Sequence, residues 1–262
     1  MTHIYDGIAS AYDQWSSGDA AYEETLQFYT SALSQMRGGN YLELGIGSGR
    51  ISLAAIRNAP VSILGIDESM EMLEKCEKSY REAGPYKGTL TLRQADFTRL
   101  DYEEKFDGAF MPFRTIGHIL EDSALDDMFT GVLRALKPGG WFLFDHYIFQ
   151  QEWAEKHNCT DILMYRDENI TIHDRYLYDF ERKTMLCEVK VNGEARMRFT
   201  FRWFSPETLL NAAEKAGFHL LSLMGTFDGE PWKENSLQQI WLFKKAGYDC
   251  LGEFPTFDIR KR

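Results

Sequence analysis

Between Glu43 and Arg50 the chain reads ELGIGSGR, with glycines at 45, 47 and 49 behind an acidic residue and a short apolar run. Glycine tolerates left-handed backbone angles and lets a ligand approach the main chain, and a helix starting just beyond offers unpaired amide N–H groups. Such a loop suits a nucleotide or another anion, and the spacing narrows the choice. A dinucleotide fingerprint needs glycine where this chain has Arg50, and a P-loop needs a Gly-Lys-Ser/Thr that does not follow. Asp67 closes the next apolar run, VSILGID, where an acidic side chain can grip a ribose diol. Asp96 and Phe97 close the third, suited to accept from an adenine amino group and to flank its ring. Glu43, Gly45, Gly47, Gly49, Asp67, Asp96 and Phe97 together describe an adenosine pocket without a pyrophosphate.

The elements that must position these residues are legible in the apolar pattern. From Gly38-Gly39 to Tyr147, short apolar runs (YLELG, VSILGID, TLTLRQAD, FDGAFM, WFLFDHY) alternate with segments of helical period, 49–58, 69–83 and 122–136. That alternation predicts an α/β fold, a parallel sheet covered on both faces. Residues 1–37 read as an aromatic, helical N-terminal cap interrupted by a turn at Ser16 to Asp19. Between 160 and 204 the period switches to two, with Asn192-Gly193 as a hairpin signal, so a small antiparallel β-subdomain is inserted there. Ser205-Pro206-Glu207 caps a further helix ending at Gly217, and HLLSLMG and QQIWLFKK read as strands. The core is then 38–159 with 205–245, and 246–262 is a C-terminal tail.

Composition excludes several classes. With 29 Lys+Arg against 40 Asp+Glu the chain is acidic, which disfavours a nucleic-acid partner. The start lacks a basic segment followed by an apolar one, and no run approaches a membrane span, so a soluble cytoplasmic protein with no membrane partner is expected. Cys76, Cys159, Cys187 and Cys250 are scattered, with no CxxC and no nearby histidine pair, so no metal site is expected and the thiols read as reduced and packed.

E-x-G-x-G-x-G, Asp67, Asp96-Phe97, FDGAFM and the LKPGG turn at 136–140 fall in order over residues 5–147, and in this the chain resembles the class I S-adenosylmethionine-dependent methyltransferases. YDGIASAYD is similar to the N-terminal helix that folds over the methionine end in many of them. MPFRTIGHI and the β insertion are similar to small-molecule members, especially the glycine and amino-sugar N-methyltransferases. The resemblance implies a Rossmann-like doubly wound sheet and S-adenosyl-L-methionine as cofactor, leaving S-adenosyl-L-homocysteine. It implies Gly45 and Gly47 at the methionine moiety, Asp67 at the ribose, Asp96 and Phe97 at the adenine, the backbone around Met111 at the amino group and Tyr12 at the carboxylate. Glu68 departs from the pattern, which has an apolar residue there.

Methyl transfer is an in-line displacement governed by alignment and desolvation, with a base needed only where the nucleophile must lose a proton. The resemblance implies Tyr5 and His118 near the reacting centre. His146 and Tyr147 end the fifth strand, on the ligand-facing edge, and Arg114 can grip an acidic substrate group or form a surface salt bridge. Met197, Phe199, Phe201 and Trp203 have strand period and read as core under the small sheet rather than as an aromatic cage. The expected activity is methylation of a small molecule, at an amine nitrogen first and at a hydroxyl or carboxylate oxygen second. Another class is a non-catalytic cofactor-binding regulator on the same fold, and a nicotinamide oxidoreductase fails at Arg50. The insertion serves as a substrate lid or as a subunit interface, which leaves a homo-oligomer open.

Overall fold

The alternation of apolar runs becomes a layered α/β fold in the computed structural model, which describes residues 5–247. Helices α1 (Tyr12–Ser17) and α2 (Tyr22–Ser34) precede strand β1 (Asn40–Leu44), and then follow α3 (Arg50–Asn58), β2 (Ser62–Asp67), α4 (Met70–Glu82), β3 (Thr89–Gln94), β4 (Phe106–Met111), α5 (Asp122–Ala135) and β5 (Leu136–Tyr147). Helix α6 (Gln151–His157) leads into β6 (Asp161–Arg166), β7 (Thr171–Asp179), β8 (Thr184–Val191) and β9 (Glu194–Arg202). Helix α7 (Pro206–Ala216), β10 (Phe218–Met224) and β11 (Gln238–Lys245) complete the order.

Among the described residues a seven-stranded sheet runs β10-β11-β5-β4-β1-β2-β3, with the last five parallel and β11 antiparallel to both neighbours. The direction of winding reverses between β1 and β4. Loops leaving those two strands therefore diverge and open a crevice at their carboxyl ends, the usual seat of a ligand in such sheets.

Strand parity divides the core. Leu42 and Leu44, Ala109 and Met111, Phe142 and Phe144, Trp241 and Phe243 pack on the face covered by α5 and α7. Tyr41, Phe110, Leu143 and Leu242 pack on the opposite face with α2 and α3. Both faces are thus dry, which explains why these strands read as continuous apolar runs rather than strict alternation. The four antiparallel strands form a separate sheet in the order β6-β7-β8-β9, and Asn192 and Gly193 both have left-handed backbone angles at the β8–β9 turn (φ 51° and 85°).

Two features depart from the sequence expectation. Strand β5 begins at Leu136 rather than at Trp141, because Leu136 already pairs with Phe106 and an irregularity follows before Gly108 meets Trp141. Strand β6 and helix α6 were not anticipated: DILMYR does not alternate, and its pairing with β7 shifts between Leu163 and Tyr165. Beyond Gly247 the expected tail, Cys250 included, lies outside the described residues. Among the described residues no helix is long and apolar enough to cross a membrane.

Candidate functional site

The glycine loop sits where β1 enters the crevice. Gly45 and Gly47 have φ of 71° and 55°, and a Cβ on Gly45 would collide with the Thr115 methyl. The Gly47 N–H donates to Asp67 Oδ2 at 2.8 Å, and the Ser69 N–H donates to Oδ1 at 2.9 Å, so two main-chain amides fix the carboxylate at the end of β2. Asp96 Oδ1 accepts from the Thr98 N–H and hydroxyl at 2.8 and 2.6 Å. Gly45, Gly47, Asp67, Asp96 and Phe97, joined by Met72, line one cleft of about 600 Å³. The fit to an adenosine-bearing cofactor is good: an oriented acidic acceptor, a second one beside an aromatic ring, and a glycine backbone where a side chain would intrude.

Gly49 is not part of that lining. It starts α3 in the left-handed region (φ 82°), and an added Cβ would run into Cys76 Sγ of α4. Its role is close helix packing beneath the loop. Met111 is likewise wholly buried in the core, and Pro112, Phe113 and Thr115 are the residues that reach the site from the β4 side.

Tyr5, Tyr12 and His118 line the cleft and also an adjoining chamber of about 150 Å³ and a small recess of about 40 Å³. The Tyr5 hydroxyl and His118 Nε2 share a hydrogen bond of 2.8 Å. Burial first, then the negative potential of Tyr12 and Asp67, push the Tyr5 hydroxyl well above its ordinary pKa, so it stays protonated. Tyr5 meets Tyr12 edge-on at 5.6 Å and stacks on Phe199 at 6.0 Å. These aromatic side chains form the passage between cleft and chamber.

The chamber is walled by Trp15, Tyr147, Tyr176, Phe199 and Phe201 and carries one buried carboxylate, Asp174 of β7. Asp174 accepts from Trp15 Nε1–H and from the Tyr176 hydroxyl, each at 2.8 Å. Burial raises its pKa to about 6 against the pull of those two hydrogen bonds. The stripe read as core is buried throughout: Met197, Phe199 and Phe201 pack in one cluster with Ile172 and Val189, Phe199 and Phe201 also line the chamber, and Trp203 stacks on Phe149 at 4.0 Å. Neither Asp174 nor Trp15 was anticipated from the sequence: the available signal for Asp174 was an acidic residue at the apolar parity of Ile170, Ile172, Tyr176 and Tyr178, while Trp15 was one aromatic of many.

The recess lies between Glu43 and Arg50. Glu43 is buried and accepts from the Ser52 hydroxyl, and burial raises its pKa to about 8. Arg50 stacks over Tyr12, Tyr22 and Phe113 at 5.2, 4.8 and 4.8 Å and donates to Ser16 Oγ at 2.6 Å. It is the cation that a carboxylate in the recess would meet. From sequence it was only the residue that breaks a dinucleotide motif.

Phe113 and Arg114 occupy left-handed angles in succession (φ 58° and 61°). The Arg114 N–H donates to Asp145 Oδ2 at 3.1 Å, and the Tyr29 hydroxyl donates to Oδ1 at 2.7 Å. The buried Asp145, raised to about 6 by burial, thus anchors a strained turn at the mouth of the chamber. The Arg114 guanidinium pairs with Asp19, with Nη2 at 3.2 Å from Oδ1. Tyr147 lines the chamber, while His146, on the opposite face of β5, does not line the cleft, chamber or recess. Its Nε2 accepts from the Phe204 N–H at 3.3 Å, its ring packs on Phe201, and burial lowers its pKa to about 3. It acts as a neutral structural residue.

Residues 42–140 match the methyltransferase domain family. The chain is 28% identical over 253 residues to YqeM of Bacillus subtilis (strain 168), a protein named as a methyltransferase, covering 93% of this chain and 96% of that one. The CcbJ methyltransferase of Streptomyces caelestis superposes with a TM-score of 0.77 at 21% identity, covering 94% and 99% of the two chains. CalS10 of Micromonospora echinaspora, an amino pentose methyltransferase solved with S-adenosylmethionine bound, superposes with a TM-score of 0.62 at 17% identity over 94% and 98%. Both share this fold.

Proposed function

We propose that this class I, S-adenosylmethionine-dependent methyltransferase transfers its methyl group to the amine nitrogen of a small molecule held in the aromatic chamber. The observation that carries the reading is Asp174, a buried carboxylate among aromatic faces one passage away from the adenosine cleft. Ring faces and the Asp174 carboxylate attract a cationic amine, and of the two guanidinium groups that also line the chamber, Arg114 is paired with Asp19 and Arg50 is engaged by Ser16 and three aromatic rings. The amino pentose substrate class of CalS10 supports the same direction.

Asp67, Asp96 and Phe97 would hold the adenosine half of the cofactor, Gly45 and Gly47 would give its methionine half room along the backbone, and Arg50 or Tyr12 would meet its carboxylate. Bound there, the cofactor supplies an electrophilic methyl carbon on a sulfonium. An amine arriving as an ammonium ion must lose a proton before its lone pair can attack. We assign the acceptance of that proton to His118, with the Tyr5 hydroxyl fixing its ring. Trp15, Tyr147, Phe199 and Phe201 would keep water out of the line between the amine and that methyl carbon. The insertion at 160–204 acts as the lid, a role supported by the chamber residues Asp174, Phe199 and Phe201. The Tyr5–His118 pair also suits a hydroxyl acceptor, which keeps an oxygen reading second.

Two measurements test this. Titration calorimetry with S-adenosylmethionine and S-adenosylhomocysteine should give micromolar binding. Transfer of labelled methyl across panels of amines, phenols and carboxylic acids should then favour amines. Because the Asp174 carboxylate protonates near pH 6, the KM for an amine should climb as pH falls through 6 in the wild type, about tenfold per unit, and Asp174→Asn should show a high KM without that climb. Methylation of phenols or acids with amines inert would establish the oxygen reading, and tight cofactor binding with no transfer to any panel would point to a non-catalytic regulator.

A further inference from the structure

A second space continues from the chamber on the side away from the cofactor cleft. It is a groove of about 310 Å³ that shares Arg114, Tyr147, Tyr176 and Met185 with the chamber. Beyond those shared residues its walls are largely apolar and aromatic: Ile148, Phe149, Trp153, Tyr178 and Leu237. Leu237 and Trp153 are 60% and 44% exposed, unusual for such large apolar side chains.

The neck between chamber and groove holds two unmatched donors. The Tyr147 hydroxyl and Arg114 Nε are buried and have no hydrogen-bond partner among the described residues. A guanidinium only donates, and burial keeps the Tyr147 phenol protonated, so both groups call for an acceptor atom. A folded chain rarely leaves buried donors without one.

We propose that the groove is the second half of the acceptor site and that the acceptor is an elongated amine. Its nitrogen lies in the chamber, an oxygen accepts from Arg114 Nε–H and Tyr147 O–H at the neck, and an apolar tail covers Trp153 and Leu237. This rests on the amine reading above and narrows it to amphiphilic amines with a hydrogen-bond-accepting oxygen close to the nitrogen.

The test is titration calorimetry on the full chain saturated with S-adenosylhomocysteine, using glycine N-alkylamides from ethyl to octyl and the matched N-alkylacetamides, which lack only the amine. Affinity for the glycine series should rise about fourfold per methylene over the first few carbons and then level. Leu237→Asp, a change at an exposed surface residue, should flatten that rise. Tyr147→Phe should weaken the whole series about fivefold or more without changing its slope. A flat glycine series that still binds better than the acetamides would overturn the groove and leave the amine chamber standing. An equal rise in both series would keep the groove and remove the amine. No binding of either series at millimolar concentration, or a Tyr147→Phe variant indistinguishable from wild type, would overturn the proposal.

Discussion

The cleft beside the glycine loop and the aromatic chamber meet at Tyr5 and are built on different plans. The cleft is made by strand ends of one parallel sheet, and its side chain Asp67 is held by main-chain amides from its own loop and from the preceding glycine loop. The chamber is made by side chains brought together from three distant parts of the chain: Trp15 from α1, Arg114 after β4, and Asp174, Phe199 and Phe201 from the inserted sheet. Backbone architecture of the first kind accepts one ligand shape and tolerates little change. Side-chain architecture of the second kind can be respecified by substitution without touching the sheet.

That contrast can be broken or sharpened. The largest effect should follow Asp67→Ala, which removes the fixed acceptor of the cleft and should weaken S-adenosylhomocysteine binding about a hundredfold, some 2–3 kcal/mol, by calorimetry. A loss under threefold would show that the cleft does not depend on its backbone-held carboxylate. Gly49→Ala should instead lower stability by about 2 kcal/mol through its left-handed angle and the crowding of Cys76, with cofactor affinity changed less than twofold in the protein that remains folded. Thermal melting and calorimetry on the same sample separate the two, and a large affinity loss would put Gly49 in the cleft after all.

Tyr5→Phe takes away the hydroxyl at the junction and should lower turnover about tenfold while leaving the affinity for S-adenosylhomocysteine intact. Equal turnover would make Tyr5 a wall only. A further effect, read across pH rather than at one pH, concerns Glu43. Its pKa is raised to about 8 in the folded chain and is near the ordinary carboxylate value when unfolded, so the folded state holds the extra proton. The associated stability is complete below about pH 4.5 and is lost as pH rises through 8. The melting temperature of Glu43→Gln relative to wild type should therefore climb between pH 5 and 9, and a constant difference would mean that Glu43 is ionised in place.

Legibility followed the same division. Strand ends announce themselves in sequence because a parallel strand is an apolar run and its last residue faces the crevice, so Asp67, Asp96 and the glycine loop could be found without coordinates. Asp174 was legible only as an oddity, an acidic residue that shares the parity of Ile170, Ile172, Tyr176 and Tyr178 on the apolar face of β7, and its partner Trp15 comes from a distant helix that strand period cannot reveal. Phe199 and Phe201 are core under the small sheet, as strand period predicts, and what the period does not give is that they also wall the chamber. His146 misled in the other direction. It ends a strand at the correct edge, yet its parity turns it toward Phe201 and Phe204. Arg50 was visible only as a violated motif, since its value lies in stacking on three rings from three separate segments.

Tyr5, Tyr12 and Trp15 line the chamber, and Tyr5 and Tyr12 line the cleft as well, so under the proposed function this stretch would be a door as well as a wall. Spent cofactor and methylated product would then have to pass it on the way out. Turnover is then expected to be paced by departure rather than by bond making: a burst of product in the first cycle, a slower steady rate, and a steady rate that falls as the medium is made more viscous.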